Sequence, residues 1–146
     1  MRIQEIMSRD LSTVTPDATV REAALIMKRE EVGFLPVVSS ADSRKLVGVV
    51  TDRDIAIRCI ANGRDGDCRV SEVMSSGPVA TCRHTDEVDH LLSSMRSEQV
   101  RRIPIVDDRG SLVGVVSQAD ILRKARGGQS EATISQISEP GGRHAS

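Results

Sequence analysis

Aromatic residues are almost missing from this sequence, which has no Trp, no Tyr and a single Phe, Phe34. That leaves no basis for a surface that holds single-stranded nucleic acid by stacking bases on rings. A basic field is missing too. Lys and Arg number 20 against 21 Asp and Glu, a formal charge of −1, so nothing attracts phosphate backbones in bulk and no nucleic-acid partner is expected. No apolar run approaches the roughly 18 residues that cross a bilayer, and MRIQEIMSRD lacks the apolar stretch of a secretory signal. A cytoplasmic protein without a membrane partner is expected. Cys59, Cys68 and Cys82 are odd in number and lack CxxC spacing. They read as free thiols of a reducing compartment, with a redox pair as the minor alternative.

Catalytic signatures are equally scarce. There is no G-x-S-x-G, no P-loop and no G-x-G-x-x-G. His84, His90 and His144 show neither metal-ligand spacing nor a Cys or carboxylate pattern repeated along the chain. Asp52 and Asp54 flank Arg53 at a helix start, which favours their ionised forms over acid–base work. No catalytic residue, no metal and no required cofactor is expected.

What is present is a repeat. LVGVVTDRDI at 46–55 and LVGVVSQADI at 112–121 agree at seven of ten positions. Upstream, Pro16–Val38 and His84–Val106 align without a gap. Val20, Ala23, Ala24 and Met27 repeat as Val88, Leu91, Leu92 and Met95, each set one apolar stripe on a helix. Thr19 with Glu22 predicts a capping box for the first helix, and Asp86 is the N-cap candidate for the second. FLPVV (34–38) and RIPIV (102–106) predict strands in which proline gives up a ladder donor, hence an edge or a place met by something other than a strand. SSADSRK and DDRG predict the turns, and LVGVV the next strand, where Gly48 and Gly114 admit close approach of another group. Thr51 and Ser117 then open a further helix, with Ile55, Ile57 and Ile60 in one copy and Ile121 and Leu122 in the other. A short extended piece precedes each unit, at Ser12–Thr15 and Val79–Arg83.

The expected boundaries are residues 1–61 for the first repeat, 62–70 for a polar linker and 71–126 for the second repeat. Residues 127–146 lack an apolar stripe and are expected to be a disordered tail. One unit of about 60 residues is marginal alone, so the two are expected to bury their strand faces together.

The ordered set IMSRD and VMSSG, FLPV and RIPI, LVGVVTDRD and LVGVVSQAD resembles a CBS-domain pair, or Bateman module, from Ile6 to Leu122. The continuation TDRDIAIRCIANGRD is similar to short stand-alone bacterial members. The resemblance implies an α/β (α+β) fold of two β-α-β-β-α repeats, packed through their sheets with pseudo-twofold symmetry and commonly homodimeric. It also implies clefts between the halves that hold adenosine nucleotides, AMP, ADP or ATP, with S-adenosylmethionine or NAD as further candidates.

Thr51-x-x-Asp54 and Ser117-x-x-Asp120 carry two readings side by side. Either is a capping box at a strand-to-helix junction. Either also offers a carboxylate that accepts both hydroxyls of a ribose, with a hydroxyl beside it. By resemblance, Asp54 and Asp120 hold ribose. Val14, Phe34, Leu35 and Pro36 line a base slot in the first repeat, and Thr81, Ile103 and Pro104 one in the second, against a plain core reading for the same residues. Arg101 and Arg102 fall where the family places phosphate contacts, with a solvated surface pair as the alternative. Gly33-Phe34 replaces them in the first repeat, and Arg53 is a weaker candidate there. The function implied is a non-catalytic nucleotide sensor that signals through dimer conformation. The competing reading is an interaction or stress-response module with vestigial sites and a protein target.

Overall fold

The computed structural model describes residues 1–77 and 79–124. They fall into two compact units: Ser12–Val79, and a second in which Met1–Leu11 joins the described residues that follow Val79. Helix and strand are mixed in both, with small sheets, an α+β architecture. No helix among the described residues is long and apolar enough to cross a membrane. The expected tail, 127–146, lies outside the described residues.

In the unit Ser12–Val79, helix α1 is Val20–Glu30, and strands β1 (Phe34–Val38) and β2 (Leu46–Thr51) form an antiparallel hairpin. The capping box is formed as predicted: Thr19 Oγ1 accepts from the Glu22 N–H and Glu22 accepts from the Thr19 N–H. Two further free N–H groups of the first turn, on Val20 and Arg21, find the carbonyls of Cys68 and Gly66. Helix α2 starts at Asp52–Asp54 and runs on as a π-helical turn, Ile55–Ile60. Val14 lies against β1, its N–H on the Pro36 carbonyl and its carbonyl on the Val38 N–H. N–H and C=O of one strand residue point the same way, so the donor Pro36 lacks would face this short segment and not β2.

The other unit repeats the plan. Strands β3 (Cys82–Arg83), β4 (Arg102–Val106) and β5 (Leu112–Ser117) form one sheet in that order, β3 parallel to β4 and β4 antiparallel to β5. Helix α3 is Val88–Glu98 and α4 is Gln118–Lys124. Here the proline strand is central, yet β3 pairs only with Ile105 and Val106 and stops short of Pro104. Both hairpins share one irregularity, a register shift at Val37/Val38 and at Ile105/Val106, so the duplication extends to the bulge.

The compact units cut across the boundaries expected from the repeat. A 3-10 turn at Ile3–Glu5 docks on the second copy, with the Ile3 and Gln4 N–H groups on the Asp86 and His84 carbonyls. Its counterpart at Val70–Glu72 docks on the first, with the Val70 and Ser71 N–H groups on the Ala18 and Pro16 carbonyls. Ile3 and Ile6 join the core of Leu91, Met95, Ile103 and Ile105, while Val70, Val73 and Cys68 join that of Val20, Leu35, Val37 and Val50. The stretch 62–70, expected as a linker, thus supplies core residues and helix-capping carbonyls. Its polar composition hid this because only Cys68 and Val70 turn inward.

Two local expectations change. Ala24, placed on the buried stripe, is exposed, because Val20, Ala23 and Met27 already fill the contact with the sheet. The N-cap of α3 is Glu87 and not Asp86, whose carboxylate instead accepts from the Arg83 N–H and closes the preceding turn. Ile57, Ile60 and Leu122 stay exposed. In α2 the wider π turn carries Cys59 into the core in their place.

Candidate functional site

The two acid-tipped junctions have the same geometry. Thr51 Oγ1 accepts from the Asp54 N–H at 3.1 Å, and Asp54 Oδ2 accepts from the Thr51 N–H at 2.9 Å. In the other repeat the Asp120 N–H donates to Ser117 Oγ at 3.2 Å, and Asp120 Oδ2 takes the Ser117 N–H at 2.8 Å. The capping reading is therefore realised in both copies. It consumes one carboxylate oxygen of each acid. Their side chains are 14% and 13% exposed.

An arginine one turn on faces the other oxygen. Asp54 Oδ1 lies 3.9 Å from Arg58 Nε, and Asp120 Oδ1 accepts from Arg123 Nη2. Arg58 also donates through Nη1 to the Val73 and Met74 carbonyls. Sequence reading missed both arginines. The signal was there, in Asp54–Arg58 at i,i+4 and Asp120–Arg123 at i,i+3.

Strand register brings further candidates to each junction. Phe34 pairs with Thr51, and Arg102 with Ser117. The Asp52 N–H donates to the Gly33 carbonyl, and the Gln118 N–H to the Arg101 carbonyl. Residues directly across an antiparallel pair share a sheet face. Phe34 and Pro36 thus lie on the Thr51 face of β1, and Arg102 and Pro104 on the Ser117 face of β4. Val14, Leu35 and Ile103 turn the other way, into the two cores; for these three the core reading is met. Thr81 stands just before β3, half-buried, and Arg53 is exposed on the first turn of α2.

Arg101 stands apart. Its Nε is buried without a hydrogen-bond partner, the one such side-chain atom found among the described residues. A desolvated donor lacking an acceptor costs about 1–3 kcal/mol, and more on a charged group such as a guanidinium. Cys59, Cys68 and Cys82 are free and buried, and burial pushes the Cys68 and Cys82 thiols up from their ordinary range.

The family model of the CBS domain matches residues 3–59 and 70–127. The CBS domain-containing protein YhcV of Bacillus subtilis (strain 168) is 41% identical over 119 residues, 82% of this chain and 81% of that protein. The CBS domain pair of protein MJ0100, solved in complex with 5-methylthioadenosine and S-adenosyl-L-methionine, is 30% identical. It superposes with a TM-score of 0.71 over 87% of this chain and 97% of that one. CBSX2, solved in complex with AMP, is 25% identical with a TM-score of 0.72 over 86% and 96%.

Proposed function

This chain belongs to the CBS-domain family as a tandem pair, and from that premise we propose that it is a non-catalytic regulatory module binding an adenosine-containing nucleotide at its acid-tipped junctions. AMP, ADP and ATP are the first ligands to test, with S-adenosylmethionine and NAD beside them. In this reading a ribose exchanges hydroxyls for the arginine at Oδ1 of Asp120 or Asp54. Phe34, Pro36 and Pro104 offer apolar surface to the base, and Arg101 with Arg102 receives phosphate in the second repeat.

The observation that carries the reading is the orphaned Arg101 Nε, on the residue just before β4, whose carbonyl accepts from the Gln118 N–H of Ser117-x-x-Asp120. A phosphate oxygen is the acceptor that a buried guanidinium donor lacks. The first repeat has Gly33-Phe34 at the matching positions; it takes adenosine without phosphate contacts of this kind. Binding shifts conformation only through unequal affinity for two states. Signalling through a homodimer in the cytoplasm, toward a protein target, is part of the proposal.

Titration calorimetry with each ligand tests it. At least one adenosine compound should bind, and Asp120→Asn should weaken it by about 1–3 kcal/mol. Asparagine can still accept the Ser117 N–H, so the fold is kept while the second charged acceptor is lost. No heat with any of the five, together with co-purification of a protein partner, would establish the competing interaction module with vestigial sites.

A further inference from the structure

The nucleotide reading leaves unused a mixed set of ligating side chains at the entrance to α3. Cys82, Asp86 and His90 are four residues apart, the first on β3, the second closing the turn and the third on the first turn of α3. Their ligand atoms lie within 4.8 Å of one another, and His90 Nε2 is 3.9 Å from Asp86 Oδ2. A thiol, a carboxylate and an imidazole thus converge on one point from a strand, a turn and a helix.

The second repeat owns this trio alone. In the gapless register the matching positions of the first repeat are Val14, Ala18 and Glu22. Val14 meets β1 as Cys82 meets β4, so the backbone frame is the same. Of these only Glu22 carries a ligating group, and it is engaged in the Thr19 capping box, whereas the second copy carries three. Sequence reading set the histidines aside because it found neither metal-ligand spacing nor a Cys or carboxylate pattern shared by both copies.

We propose that Cys82 Sγ, Asp86 and His90 Nε2 form a zinc site with its fourth position open to solvent. A thiolate and a carboxylate neutralise a divalent cation, and a sulfur–nitrogen–oxygen donor set selects zinc over magnesium or calcium, which take oxygen alone. Bonds of about 2.0–2.3 Å hold tetrahedral donors roughly 3.3–3.7 Å apart, so the widest separation closes by about an ångström on binding. Cys82 is the fixed member, buried against the core beside Ser94 Oγ. His90 and Asp86 are the mobile ones, with side chains 60% and 33% exposed, and zinc enters from their side. The Arg83 N–H already orients Asp86 Oδ2 at 2.9 Å, the kind of outer hydrogen bond that steadies a ligating carboxylate. Coordination releases the Cys82 thiol proton to solvent and ties the end of β3 to the first turn of α3.

The test uses the full chain, stripped with chelator, dialysed and titrated with Zn²⁺ alone, with Co²⁺ as the spectroscopic probe. Zinc should bind at about one equivalent and raise the melting temperature. Cobalt should give a thiolate charge-transfer band in the near ultraviolet with visible bands of tetrahedral intensity. The band should vanish in Cys82→Ser and persist in Cys59→Ser and Cys68→Ser. Cys82 is buried, so His90→Ala, on an exposed side chain, serves as the variant certain to test binding and not folding; it should weaken zinc at least about tenfold. Cobalt spectra without the thiolate band, or zinc affinity unchanged in both His90→Ala and Asp86→Asn, would overturn the site.

Discussion

Val49 and Ser75 exchange both backbone hydrogen bonds, 3.1 Å from the Val49 N–H and 2.8 Å from the Ser75 N–H, and Val115 and Ser8 do the same at 3.0 and 2.9 Å. Each pair fastens an entrance segment to a hairpin, and a glycine sits under each contact. A Cβ on Gly48 would lie 2.6 Å from the Ser75 carbonyl oxygen, and one on Gly114 would lie 2.8 Å from the Ser8 oxygen and from Met7 Sδ. Since the obstructing atoms include backbone, the segment must shift. Gly48→Ala and Gly114→Ala should each destabilise by about 1–3 kcal/mol in urea unfolding. Gly77→Ala, with nothing within 4 Å, should be neutral; equal losses at all three would refute the docking account.

The helix ends make an opposite prediction. Glu31 and Gln99 close α1 and α3 in the left-handed region, at φ of 56° and 54°. A side chain in that conformation is strained, and glycine is not. Glu31→Gly and Gln99→Gly should raise stability by about 0.5–1 kcal/mol, read as a higher thermal midpoint. A fall in either would mean that side-chain contacts outweigh the backbone relief.

Much of this was legible in the order of residues, for a physical reason. Two copies of one pattern cancel the accidents of either, so the helix stripe, the proline strand and the glycine-bearing strand each stood out twice. The capping boxes at Thr51 and Ser117 were readable because a box is local, closed within four residues. Pairing of Ile3 with Leu91, or of Val70 with Val20, is not local. Nothing in IQEI or VSEV says which copy each will enter, and the expected boundaries followed the chain where the packing did not. Arg58 and Arg123 went unread because a charge on a helix usually faces water. The orphan at Arg101 is a property of burial, which a sequence does not record.

Acid should expose one ion pair in particular. The Arg64 guanidinium, 2.6 Å from Glu72 Oε1, and the Arg69 N–H hold the Glu72 carboxyl below its ordinary 4.5. Because the folded value is the depressed one, this pair stabilises fully above 4.5 and the contribution disappears as pH falls through the folded value. Arg64→Ala should therefore be less stable than the parent at neutral pH, and the two should converge in acid. Carbon-detected titration of Glu72 should show a midpoint that rises in Arg64→Ala. An unmoved midpoint would mean that the backbone donor alone sets it.

Competition at the arginine-paired carboxylate oxygen of Asp120 leads to a binding prediction. Arg123 Nη2 donates to Asp120 Oδ1, the oxygen that a ribose would need. The arginine is largely exposed, so the pair is weakly held, and a ligand must still displace it. Arg123→Ala should tighten adenosine binding a few-fold in calorimetry and leave Asp120→Asn as weak as before. Weaker adenosine binding in Arg123→Ala would place the guanidinium on the ligand instead.

Arg101 separates stability from recognition by sign. Its buried Nε has no acceptor in the free protein, so a similar apolar chain removes a desolvation cost and forfeits no hydrogen bond at that atom. Arg101→Met should leave unfolding stability equal to the parent or higher. If the donor is kept for phosphate, the same change should weaken AMP by about 10- to 100-fold, the worth of a hydrogen bond to a charged group. Adenosine, which offers no phosphate, should be nearly unaffected, and the salt dependence of AMP binding should flatten as one cationic contact is lost. A structural arginine would reverse this pattern, with stability falling and the AMP-to-adenosine ratio unchanged. The ratio of those two affinities is thus the measurement on which a phosphate role for the second repeat turns.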